Sequence, residues 1–157
     1  MELQAYEAYR EAVTRIISEV KKSGGGLRDF YNRLYSEDLR ALKSEACKEL
    51  QEIVRQWAKR DHKIVPAVYL SDRYQVNAGM YVEGRFGTGR IVVFYLWAPY
   101  HLENNELQKL QVRTKEEVQQ ILAHGYAYHL QGLSHGERFH NLMKKVAHRK
   151  EVHSHGR

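Results

Sequence analysis

Apolar residues return at three- and four-residue intervals through residues 3–22, where Tyr6, Tyr9, Val13, Ile16, Ile17 and Val20 share one face. The spacing predicts an amphipathic helix. Lys21 and Lys22 suit the negative end of its dipole, and Ser23-Gly24-Gly25-Gly26 stops it. That glycine run has no strand before it and no Lys-Ser or Lys-Thr after it, so it reads as a turn and not as a phosphate cradle. A short helix follows from Leu27 to Tyr35, with Leu27, Phe30, Tyr31 and Leu34 inward. Ser36 is placed to cap a third helix running to about Arg60. Its stripe is Leu39, Leu42, Ala46, Leu50, Ile53, Val54 and Trp57, with Cys47 beside it as a small buried hydrophobe. Lys59, Arg60, His62 and Lys63 close this helix with positive charge.

The period then shortens. Residues 64–70 are strand-like, and Pro66 cannot donate to a ladder, so this is an edge strand or one that begins at the proline. Ser71-Asp72-Arg73 reads as a turn. Residues 78–83 and 90–97 form a hairpin, joined through Gly84, Gly87 and Gly89, which tolerate the positive φ of such connections. No helix follows the segment 84–90, so its glycines belong to a hairpin and not to a nucleotide loop. Residues 101–111 read as a short polar helix. Thr114-x-x-Glu117 is a capping box that opens a helix through Val118, Ile121 and Leu122 to Gly132. Ser134-x-x-Glu137 is a second capping box, ahead of a final helix with Phe139, Leu142, Met143 and Val146 inward. The order is α+β: N-terminal helices, a small antiparallel sheet with a Gly-rich hairpin, a further helix and a C-terminal helix. Residues 1–148 make one domain and 149–157 a polar, basic tail.

Composition narrows the function classes. A length of 157 residues supports one domain with a real core. A single cysteine excludes an internal disulfide framework and a multi-cysteine zinc site within the chain. The longest apolar run, residues 91–99, is too short to span a bilayer, and the first residues show no leader pattern, so a cytoplasmic protein is expected. The formal net charge of +6 points to an acidic partner. Most of the nine histidines lie from His124 onward, and this crowding directs attention to the stretch 123–130.

On a helix, His124 and Tyr128 lie about 40° apart, whereas His124 and His129 lie about 140° apart. Gly125 follows His124 in mid-helix, where glycine costs about 1 kcal/mol against alanine. It marks either close packing or a lost side chain. The segments 77–84 and 89–93, the helix with His124, and His135-Gly136-Glu137-Arg138-Phe139 together resemble a SprT-like or minimal gluzincin-like zinc metallopeptidase over residues 64–146. Members of that family carry His-Glu-x-x-His on a helix and a third histidine downstream.

The resemblance implies zinc as cofactor and a peptide or protein segment as partner, bound along a sheet edge. It places His124 at the first ligand, His135 at the third, and His129 at an additional histidine after the second. Gly125 stands at the general base and Tyr128 at the second ligand. Zinc hydrolysis needs about three protein ligands, an open water position and a carboxylate base. A phenol ligates well only after losing a proton with a pKa of about 10. The expectation is a metallopeptidase-like pseudoenzyme in which zinc is weak or absent and Gly125→Glu with Tyr128→His would strengthen it. Glu83, Glu103, Glu106 and Glu137 are replacement bases that spacing does not place. If the likeness is accidental, His129 and His140 are surface residues.

The second expectation is a nucleic-acid-binding protein, with Arg85, Arg90, Lys144 and Lys145 foremost among its phosphate contacts. The resemblance also implies a link to protein–DNA crosslink repair, so DNA as a partner is compatible with the first reading. A metal-dependent nuclease ranks lower, because only Glu83 among the carboxylates is suggestively placed on a strand.

Overall fold

The computed structural model describes residues 2–131 and the backbone of residues 139–142. Helix α1 spans Gln4–Lys22, α2 Leu27–Ser36 and α3 Arg40–Asp61. The stripe expected on α1 is the stripe that is buried: Tyr6, Tyr9, Val13, Ile16, Ile17 and Val20. Its first turn is capped from a distance, the amides of Ala5 and Tyr6 donating to the Glu49 carboxylate of α3 at 3.0 and 2.9 Å. Gly24, with φ of 79°, turns the chain out of α1. Ser36 ends α2 instead of capping α3, and Leu42 lies largely outside the buried stripe of α3. His62 closes α3 in a left-handed conformation, φ 55°.

Five strands follow: β1 Ala67–Gln75, β2 Gly79–Glu83, β3 Gly89–Trp97, β4 Gln111–Val112 and β5 Phe139–Leu142. The order is β1-β3-β2-β5, with β4 also on β3. The layout is α+β as expected, but the sheet is mixed: β1 runs parallel to β3, while β2, β4 and β5 pair antiparallel. Strand β3 is central, and a central strand covered by neighbours carries a near-continuous apolar run. Ile91, Val93, Tyr95 and Leu96 accordingly enter the main core. A turn of 3-10 helix at Arg85–Gly87 joins β2 to β3, and another spans Asn104–Lys109 within the segment expected to be helical.

Two further expectations change. Residues 71–73 do not end β1. They form an irregularity between Ser71 and Tyr74, after which pairing with β3 resumes. The cause is a set of distant partners for Asp72. Its carboxylate accepts from Lys43 Nζ at 3.0 Å, from the Tyr95 hydroxyl and from Tyr9 at 3.4 Å. Residues 139–142 lie in a strand where the second capping box placed the start of a helix. The remainder of that segment, and the tail 149–157, lie outside the described residues.

Pro66 precedes β1, which is an edge strand. Its outer edge is covered by side chains. The Gln51 amide of α3 donates to the Pro66 carbonyl at 2.8 Å and accepts from the Val68 amide at 2.9 Å, as a neighbouring strand would. The Tyr31 hydroxyl donates to the Asp72 carbonyl at 2.7 Å. No helix among the described residues is long and apolar enough to cross a membrane.

Candidate functional site

Helix α4, Lys115–Gln131, carries the central stretch. It starts where the capping box predicts: the Thr114 amide donates to Glu117 Oε1 at 2.8 Å and the Glu117 amide to Thr114 Oγ1 at 3.2 Å. Val118, Ile121, Leu122, Gly125, Tyr126 and His129 then face inward. Burying a side chain such as Ile121 or Leu122 contributes roughly 2 kcal/mol each, which fixes the rotation of the helix. His124 is exposed, and Tyr128 is half-buried at the margin of the core.

At Gly125 the backbone of α4 packs directly on Ile91 of β3. A Cβ there would lie 2.8 Å from Ile91 Cγ2, 3.0 Å from Cγ1 and 3.2 Å from Cδ1. The glycine is therefore explained by packing. On either side of it, polar groups of α4 are committed to the fold. Tyr126 donates to Asp61 Oδ2 at 2.7 Å and stacks at a tilt against Trp57. The Arg60 guanidinium, with the Tyr126 hydroxyl second, holds the Asp61 carboxyl down to about 2. His129, expected to be an additional site histidine or a surface one, is buried. Its Nε2 lies 2.6 Å from the Ile64 carbonyl and its Nδ1 2.8 Å from the Tyr81 hydroxyl. A carbonyl only accepts, so Nε2 carries a proton and donates to Ile64. His129 is thus a clamp between α4, β2 and the approach to β1.

The other named residues spread out. His135, Glu137, Lys144 and Lys145 lie outside the described residues. Glu83 is half-buried at the end of β2. Glu106 is occupied by its own loop, accepting from the Glu103 amide at 2.9 Å and from the Tyr100 hydroxyl at 2.7 Å. Arg85 and Arg90 are both exposed on the β2–β3 hairpin. Between them Phe86 is 90% exposed and held at a φ of 58°. Among the described residues no three His, Cys, Asp or Glu side chains cluster as a metal site would. They bring one imidazole, His124, and a phenol to the face in question. One imidazole and one phenol do not by themselves supply the roughly three protein ligands of a zinc centre.

Sequence reasoning missed the polar group around Asp72. Tyr9 and Tyr95 hydrogen-bond each other at 2.7 Å, and burial pushes both hydroxyls far up, so they remain protonated donors. An open cleft of about 460 Å³ reaches this group, with Tyr35, Arg40, Lys43 and Asp72 in its wall. Asp72 pairs with Lys43 and Asp38 with Arg40, so these charges are already neutralised in place. The signal in the sequence was only a Ser-Asp-Arg turn pattern. The chain matches no family model, no curated protein and no solved structure.

Proposed function

We propose that this chain is a non-hydrolytic, SprT-like scaffold that binds an extended polypeptide segment along the outer edge of β2 and takes up zinc weakly or not at all. The observation that carries this reading is the state of α4 and its neighbouring strand. Position 125 is closed against Ile91, leaving no space for a base, while the outer edge of β2 pairs antiparallel with the four-residue strand β5, the mode in which an extended segment would be held. Backbone pairing at a sheet edge is a general way to hold an extended chain, with affinity from main-chain hydrogen bonds. A hydrolase would need a water activated by metal and carboxylate together. The packing of α4 at position 125 supports a reading without turnover.

The test is a paired measurement on the full-length protein. After dialysis, atomic spectroscopy is expected to find far less than one zinc equivalent, and an unstructured protein substrate is expected to remain intact. One tight equivalent that disappears in His124→Ala, together with cleavage, would overturn the proposal.

A second reading has its own observation. Arg55 and Arg60 are spent on ion pairs with Glu52 and Asp61, whereas Arg85 and Arg90 are exposed on the same hairpin as the exposed Phe86. Cations beside an exposed aromatic suit a single-stranded nucleic acid, which offers phosphates and stacking faces. If this hairpin binds it, log affinity falls with log salt, and Arg85→Ala with Arg90→Ala reduces that slope by roughly 1.4, at about 0.7 per phosphate contact. An unchanged slope removes the hairpin from consideration.

A further inference from the structure

Strand β5 lies on the edge that the proposed function needs. Gly79 faces Leu142, Met80 faces Asn141, Tyr81 faces His140 and Val82 faces Phe139, all antiparallel. On its other side β2 is paired with β3. In the order β1-β3-β2-β5 the strand β5 is terminal, and among the described residues one ladder holds it in the sheet. A four-residue edge strand contributes few backbone bonds, each with a net value of about 0.5–1.5 kcal/mol. Elements of that kind open at low cost while the core stays folded.

Resting on the edge-binding reading above, we propose that β5 is a built-in competitor. The segment 139–142 occupies the partner-binding edge of β2, and an extended polypeptide enters by displacing it, strand for strand. The partner runs antiparallel to β2, as β5 does, and is recognised first through its backbone. A tethered segment competes at an effective concentration in the millimolar range. It therefore weakens binding of a free peptide that has the same intrinsic affinity but dissociates at lower concentrations. Occupancy of the edge also hides its unpaired amides and carbonyls until a partner arrives.

The probe is a fluorescent peptide with the sequence of residues 137–144, titrated by anisotropy against the full chain. The first comparison is with His140→Pro/Asn141→Pro. Successive residues of an antiparallel strand alternate in pointing their amides toward the partner, so one of the two positions bonds β2 whichever phase applies. Proline at both removes that donor. The variant is expected to bind the peptide at least about tenfold more tightly than the intact chain, given millimolar competition. Equal affinity in a variant that melts like the intact chain overturns the competitor and leaves edge binding standing. No binding by that folded variant overturns edge binding itself.

The second comparison holds β5 in place. Met80→Cys/Asn141→Cys is made in a Cys47→Ser background, because Cys47 is the one native thiol. Facing residues of an antiparallel pair have Cα atoms about 4.5–5.5 Å apart, within the span of a disulfide. Oxidation with glutathione disulfide is expected to abolish peptide binding, and reduction to restore it. Undiminished binding by the crosslinked protein overturns the proposal.

Discussion

Replacing Gly125 with Glu lowers the unfolding free energy by roughly 3–5 kcal/mol, through overpacking and a buried, unpaired carboxylate acting together. The smaller change is the sharper test. Gly125→Ala gains about 1 kcal/mol of helix propensity, yet its Cβ meets Ile91 at 2.8 Å. Overpacking costs about 1–3 kcal/mol, so the net effect in the native background is destabilising. All three contacted atoms, Cγ1, Cγ2 and Cδ1, are absent in Ile91→Ala. In that background the same Gly125→Ala becomes stabilising, because propensity acts without the clash and the methyl fills part of the cavity. A reversal of sign across a denaturation double-mutant cycle identifies the contact; the same sign in both backgrounds refutes it. The consequence for zinc is direct. A glutamate at 125 would have room only if β3 were first cut back at Ile91.

Arg113→Met is expected to cost about 3–5 kcal/mol, the penalty for removing one partner of a buried ionic group. Arg113 is 1% exposed and organises the junction ahead of α4. Its Nε donates to the Phe94 carbonyl at 2.9 Å, and Nη2 reaches the carbonyls of Gln75, Val76 and Asn77, each at 3.4 Å. Nη1 stands 3.9 Å from Glu117 Oε2, and neither of those atoms has a hydrogen-bond partner among the described residues. Burial draws the guanidinium down to about 10, still charged at neutral pH. The methionine variant would strand the Glu117 charge and leave the 75–77 connection without its donor. Adding Glu117→Gln keeps the capping geometry, since glutamine serves at that position, and removes the stranded charge. The double variant should therefore be more stable than the sum of the single losses predicts. Strict additivity in urea denaturation would show that the two groups do not interact.

These two sites also show what can be read from a single chain. The α1 stripe and the Thr114–Glu117 capping box were legible because both are local: a period of 3.6 and a spacing of three residues suffice. The bulge at Asp72 was not, because its causes, Tyr9, Lys43 and Tyr95, are far away in sequence. The parallel pairing of β1 with β3 was hidden for the same reason. Gly125 was ambiguous in principle. A missing side chain and a close helix–strand contact leave the same letter, and only the position of Ile91 separates them. His129 was not legible: its angle from His124 separated the two rings, but its burial and its clamp on Tyr81 and Ile64 required the fold. Half of the candidate metal set, His135, lies outside the described residues, so the proposal rests on α4 and the strands beneath it.

The amide of Gln51 has a consequence for how copies of this chain can associate. Growth of a strand-paired filament needs two open edges per molecule, one to receive and one to offer. Gln51 and Tyr31 already satisfy the outer edge of β1 at Pro66, Val68 and Asp72. A copy that lost its own β5 could still accept a neighbour's strand on β2, whereas its β1 edge is already occupied at those three positions. Strand pairing between copies through β1 is thereby disfavoured, and one glutamine side chain supplies two of the three contacts that block it.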